Sequence, residues 1–340
     1  MARQSRRLIS PLDPLLRWDG CISVESRHGA ARGWRLPHDR IRLFGPDDLR
    51  HRAAMQAGVR VCFATDSDHI GGQLIVDSAA DIAYVVDIVA AGVVHSCPVD
   101  AEGRFGIDGI ADAGRQPADV EVWLPQFGLI WLAELYVDSD AVLAGAAPVA
   151  HPALVCYGSS ITQCRGATSP TATWPARVAR ELSLDLRCLG FGGQCHLDPL
   201  IAHTIGDMAA DIIVLCVGIN IYAAGSFSAR SLGPALMGFV STIRERHPEA
   251  PIALMTPIIY PQGEKTPNQV GMTLEDVRDV ITEAAHTMLE FGDSRLSLIA
   301  GPSIFRPADE YLLADGLHPS GAGYDLMAAR LSPVLKDLLQ

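Results

Sequence analysis

Apolar and polar positions change rhythm near residue 150. Before it, short β-like runs at 59–63, 72–76, 83–87, 120–124 and 129–137 are separated by turn residues, with no amphipathic helical pattern between them. Regular strand spacing of this kind predicts an antiparallel sandwich, because a split parallel sheet would need crossover helices. After His151 strands and helices alternate. Strands are predicted at 153–157, 184–189, 212–217, 252–256 and 296–299, and helices at 174–182, 229–246, 274–291 and 323–339. That order predicts a doubly wound α/β domain, a parallel sheet covered on both faces. The expected division is an N-terminal arm at 1–20, an all-β sandwich at 21–143, an Ala- and Pro-rich linker at 144–152, and an α/β domain at 153–340.

Composition narrows the class without changing this plan. With 340 residues, 49% hydrophobic and 19% charged, the chain has ample material for packed cores. A formal charge of -12 and the lack of a Lys/Arg stripe argue against a nucleic-acid partner. All but two of the 27 basic residues are Arg, which reads as genomic bias rather than phosphate recognition. The eight cysteines form no C-x-x-C pair and several sit inside apolar runs, as in a reduced, cytoplasmic protein. Residues 1–17 lack an apolar run of signal-peptide length, and the apolar region 75–94 is interrupted by Asp77, Asp81 and Asp87, so neither a leader nor a membrane span is expected.

Four segments fall at the carboxyl ends of the predicted parallel strands, the edge where open α/β sheets bind ligands. The first is Gly158-Ser159-Ser160, and the second is Gly190-Phe191-Gly192-Gly193-Gln194, where glycines leave backbone N–H groups unobstructed. Gly218-Ile219-Asn220 supplies a side-chain amide, and Asp315-Gly316-Leu317-His318 a carboxylate three residues before an imidazole. Acyl transfer needs a nucleophile, a base, a group that orients the base, and donors for the oxyanion. Ser160 would attack, His318 would take its proton, and Asp315 would fix the His318 tautomer. The Ser160 N–H, the Gly193 N–H and the Asn220 side chain would hold the oxyanion, with Gly192 an alternative to Gly193. Gln163, Arg165 and Trp174 are candidate substrate-binding groups, although each has an ordinary solvated or packing role as its alternative. Cys164 is a rival nucleophile that would need a depressed pKa. His196 and His203, with Cys195 and Asp198 nearby, show no compact zinc-ligand spacing, so neither metal nor cofactor is expected. Residues 257–268, with three prolines, are expected to form a rim loop.

These blocks resemble those of the SGNH, or GDSL-like, hydrolases, whose serine, glycine, asparagine and Asp-x-x-His pair fall on Ser160, Gly193, Asn220, Asp315 and His318. The β-rich first half resembles a two-domain subgroup with a jelly-roll-like module, found in some carbohydrate esterases. Two positions depart from the pattern: Ser159 stands where the family name has Asp, and Ile221 follows Asn220 where Asp is common. The resemblance implies a serine esterase that cleaves a small O-acyl ester, chiefly an O-acetyl one, through an acyl-enzyme on Ser160. An acyltransferase using the same intermediate is the second reading, and a carbohydrate-binding protein with a vestigial site the third. The expected partner is a small acyl ester, with carbohydrates among the candidates; the oligomeric state, including a homo-oligomer, stays open.

Overall fold

The protein is described by a computed structural model covering residues 5–78, 83–110, 116–148 and 150–340. The chain divides into two units. One comprises residues up to 42, 53–150 and 168–171, and the other residues 43–52, 151–167 and 172–340.

The first unit is built of antiparallel strands: β1 (Arg6–Ile9), β2 (Arg17–Asp19), β3 (Ser23–Arg27), β4 (Ala30–Trp34), β5 (Arg60–Thr65), β6 (His69–Ser78), β7 (Val85–Ala90), β8 (Val93–Pro98), β9 (Arg104–Asp108), β10 (Ala118–Trp123), β11 (Leu129–Asp138) and β12 (Leu143–Ala144). One sheet runs β3-β4-β11-β6-β9 with β1 on β11; the other runs β12-β5-β10-β7-β8 with β2 on β5. Period-two patterning explains the core. Val61 and Phe63 of β5, Val120 and Val122 of β10, and Val86 and Ile88 of β7 all join one buried cluster. The opposing residues on β11 are Ile130, Leu132, Leu135 and Val137, whose parity changes midway. A register shift against β6 between Leu132 and Glu134 accounts for the change, since one extra residue returns the apolar set to the inner face.

Three expectations need revision. The predicted N-terminal arm holds β1 and β2, which pair with β11 and β5 as sheet members, while residues 1–4 lie outside the described residues. The predicted linker begins on Ala144, the last residue of β12, and its residue 149 lies outside the described residues. Helix α1 (Asp47–Ala53) interrupts the β-rich half, and residues 43–52 belong to the second unit. Of the apolar region 75–94, residues 79–82, Asp81 among them, lie outside the described residues.

In the second unit β13 (Ala153–Gly158), β14 (Asp185–Gly190), β15 (Ile212–Cys216), β16 (Ile252–Met255) and β17 (Leu296–Ile299) form a parallel sheet in the order β14-β13-β15-β16-β17. Every residue of β13, β15 and β16 is buried, as expected for strands covered on both faces. The second strand lies on one side of the first and the third on the other, so chain direction across the sheet reverses between β13 and β15. A cleft opens at such a switch point, outside the carboxyl ends of the strands. The helices are α2 (Ser160–Gln163), α3 (Trp174–Glu181), α4 (Pro199–Asp207), α5 (Ile219–Ala224), α6 (Ala229–Arg244), α7 (Leu274–Glu290), α8 (Gly301–Ile304) and α9 (Gly321–Leu338). Thr173, Thr273 and Ser320 start α3, α7 and α9, each accepting a bond from a first-turn N–H. Among the described residues no helix is long and apolar enough to cross a membrane.

Candidate active site

The nucleophile turn is formed by β13 stopping at Gly158 and α2 starting at once. Ser159 caps α2, its hydroxyl accepting from the Ile161 N–H at 3.1 Å, which makes Ser160 the first helical residue. Such a tight connection requires α2 to lie almost on the end of β14. A Cβ on Gly190 would stand 2.3 Å from the Gln163 nitrogen, so only glycine fits there.

His318 approaches from the turn before α9. An isolated bridge between Leu313 and Pro319, together with the Ala314 N–H on the His318 carbonyl at 2.8 Å, closes that turn. Asp315 Oδ1 accepts from the backbone N–H groups of His318 at 2.7 Å and Leu317 at 3.1 Å, while Oδ2 lies 2.8 Å from His318 Nδ1. The carboxylate therefore assigns the ring proton to Nδ1 and leaves Nε2 as the acceptor, 2.8 Å from Ser160 Oγ. Partial burial opposes ionisation of Asp315. The His318 backbone N–H, its ring and the Leu317 N–H outweigh that and hold the carboxyl down at about 2.

Three donors end the strands on either side of the switch point. Ser160 N–H and Gly193 N–H donate to no acceptor among the described residues. Gly193 has a φ of 75°, which turns the backbone in a way that side-chain-bearing residues resist, and a Cβ there would meet nothing within 4 Å. On α5, Asn220 Oδ1 accepts from the Cys195 N–H at 3.1 Å, which fixes the amide and leaves Nδ2 as its donor. Gly192 differs, because its N–H is spent on Gln163 Oε1 at 2.9 Å. Tyr157, fully buried at the end of β13, accepts from the Leu197 N–H at 3.1 Å and so steadies the far end of the glycine loop. With a base on the hydroxyl and three N–H donors that meet no acceptor among the described residues, the arrangement can deprotonate Ser160 and accept a developing oxyanion.

Other expected site residues take different places. Gln163 is fully buried and holds Gly192, so its carbonyl is committed to the loop rather than to a ligand. Trp174 is also fully buried, its Nε1 donating to the Ile161 carbonyl at 3.0 Å, which makes it packing beneath α2. Arg165 is exposed at the end of α2. Cys164 is fully buried with Sγ on the Ile161 and Thr162 carbonyls, and burial pushes its thiol well up, which removes it as a rival nucleophile. His196 bridges Ser226 Oγ at 2.9 Å and the Gly193 carbonyl at 3.1 Å, whereas His203 is exposed on α4. Among the described residues no three His, Cys, Asp or Glu side chains are grouped to hold a metal. The loop at 257–268 is pinned by Arg278, which donates to the Pro257 and Ile258 carbonyls and to Glu264, all at 2.8 Å. One neighbour of the site went unforeseen: Arg52 at the end of α1, whose Nε donates to the Gly192 carbonyl at 3.0 Å. A short helix lying 108 residues before Ser160 carries no local sign of that contact.

Comparison with known proteins agrees with this architecture. Residues 16–132 match the model of the SsfX3 N-terminal domain. Among solved structures, a salicylyl-acyltransferase, SsfX3, from a tetracycline biosynthetic pathway is similar over 98% of this chain and 97% of its own, at 29% identity and a TM-score of 0.88. A putative GDSL-like lipase from Bacteroides ovatus shares the fold over 98% of both chains, at 21% identity and a TM-score of 0.79. A family two carbohydrate esterase from Clostridium thermocellum, solved with cellohexaose, shares it over 84% of this chain and 94% of its own, at 16% identity and a TM-score of 0.64. No curated protein matches the chain. Because residues 151–336, more than half of its length, match the model of the GDSL-like lipase/acylhydrolase family, the chain belongs to that family.

Proposed function

We propose that the protein is a serine esterase that cleaves a small O-acyl ester through an acyl-enzyme on Ser160. The observation that carries the reading is the continuous relay from Asp315 Oδ2 through His318 to Ser160 Oγ, each step 2.8 Å. His318 Nε2 takes the Ser160 proton as Oγ attacks the ester carbonyl. Ser160 N–H, Gly193 N–H and Asn220 Nδ2 then share the charge on the carbonyl oxygen. Collapse of the tetrahedral species breaks the ester bond, and His318 returns its proton to the departing alcohol. Water, deprotonated by the same nitrogen, releases the acid and restores Ser160. Gly193, rather than Gly192, takes the oxyanion role, since the Gly192 N–H is already spent.

A second reading has an alcohol or amine take the acyl group in place of water. The likeness to an acyltransferase across both units, at 29% identity, favours it specifically. Turnover of p-nitrophenyl esters from acetate upward, with and without added alcohol, tests both. The esterase reading expects free acid at every acceptor concentration, whereas the transferase reading expects acylated acceptor to replace it. Loss of turnover in Ser160→Ala is expected under either; full turnover in that variant would overturn both.

A further inference from the structure

Arg52 contacts the glycine loop beside the nucleophile and Arg165 follows the nucleophile's helix, and the relay and oxyanion donors use neither. Arg52 is half-buried at the end of α1 and reaches the glycine loop through the Gly192 carbonyl. A Cβ built on Gly192 would lie 3.3 Å from Ser160 Cβ and 3.5 Å from Arg52 Nε, so this glycine adjoins both the arginine and the nucleophile. Arg165 lies just past the C-cap of α2, the helix that Ser160 opens: its backbone N–H donates to the Ser160 carbonyl at 3.3 Å, and its side chain is exposed. The two charges act on each other. Burial and then the nearby Arg165 charge lower the Arg52 pKa, against the opposing pull of Asp48 one turn back on α1. A protein of net charge -12 thus carries two arginines near its reactive serine, with Asp48 near one of them. Like charges held at one site favour an anion there, and a guanidinium fork matches the oxygens of a carboxylate or phosphate.

We propose that Arg52 and Arg165 form an anion subsite beside Ser160, so that the preferred ester carries a carboxylate or phosphate a few atoms from its reacting carbonyl. The inference rests on the acyl-enzyme reading and adds the substrate class to it. The anion has two sources, the acyl group or the alcohol that leaves, and either would be drawn by the same pair of charges.

The test compares matched esters that differ in one charge. Mono-p-nitrophenyl glutarate against p-nitrophenyl pentanoate places the anion on the acyl side, and 4-acetoxybenzoate against its methyl ester places it on the leaving side. The expected result is that kcat/KM favours the anionic member of at least one pair by about tenfold, the size of a charge-assisted contact, chiefly through KM. Arg165→Gln and Arg52→Gln should each shrink that ratio, Arg52→Lys should retain part of it, and added salt should erode it. Because Arg52 also holds the glycine loop, the Arg165 variant keeps the test valid if Arg52→Gln fails to fold. A ratio at or below one in both pairs, or a preference that survives both Gln variants, would overturn the proposal. If wild type cleaves no ester, the acyl-enzyme reading fails on its own. Calorimetric binding of the same pairs to Ser160→Ala then decides the subsite separately: tighter binding of an anionic member supports it, and equal binding rejects it.

Discussion

Each unit holds a histidine whose Nδ1 lies within hydrogen-bond distance of an aspartate, and these two pairs differ in what the second ring nitrogen meets. In the β unit His69 Nδ1 lies 2.6 Å from Asp108 Oδ1, closer than the 2.8 Å between His318 Nδ1 and Asp315 Oδ2. His69 and Asp108 are directly opposed across β6 and β9, so their contact is a cross-strand pair of the kind that stabilises sheets. Past it, His69 Nε2 is buried with no hydrogen-bond partner among the described residues, over the backbone of Gly71 and Gly106. His318 Nε2, by contrast, faces Ser160 Oγ at the carboxyl edge of a parallel sheet. A His–Asp pair is thus a property of local packing; under the proposed mechanism it acts as a base only where the topology sets a hydroxyl and open N–H donors at its free nitrogen.

Substitutions can break this comparison, and the largest effect should come from His318. His318→Ala is expected to lower kcat by something on the order of 10^6, the scale seen when a triad base is lost. Asp315→Asn should cost about 10^4, because an amide no longer enforces the Nδ1–H tautomer. Asn220→Ala, which removes one oxyanion donor while leaving the relay intact, should cost about 10^2 to 10^3 in kcat. His69→Ala should leave kcat/KM unchanged and lower stability by about 1 kcal/mol in urea unfolding. A loss of activity comparable to that of His318→Ala would show that the two pairs are not different in kind.

The pH profile sharpens the same contrast. Hydrogen bonding holds the Asp315 carboxyl down at about 2, below the usual carboxylate value of about 3.9. A depressed folded-state pKa stabilises the turn above the unfolded value, and that contribution is lost only as pH falls through about 2. Asp315 therefore stays charged throughout the range above its lowered pKa. The acid limb of log kcat/KM should have a slope of one; a slope of two would mean that Asp315 loses its charge on the same limb.

Much of this was legible in the residues because it depends on local pattern. All five parallel strands and four helices of the α/β unit lie within a few residues of their predicted bounds, since buried strands and amphipathic helices have distinct periods. The site's glycines and amide were readable because each follows a strand, and the Asp-x-x-His turn because it comes just ahead of the last helix. What escaped depends on distant partners. β1 reads Arg-Arg-Leu-Ile, three of its four residues exposed, and becomes a strand only through β11. Helix α5 has six residues, too few to show a period. Gln163 and Trp174 looked like pocket residues because polarity and aromaticity do not reveal burial, and the close approach of α2 to β14 decides both. Arg52 carries no local signal at all.

The central claim is that Ser160 becomes acylated, and the most direct measurement is mass spectrometry of the protein after treatment with an alkyl fluorophosphonate. Wild type should gain one adduct on the peptide that contains Ser160, and Ser160→Ala should gain none. An adduct that persists in Ser160→Ala, or maps to any other residue, would contradict the account.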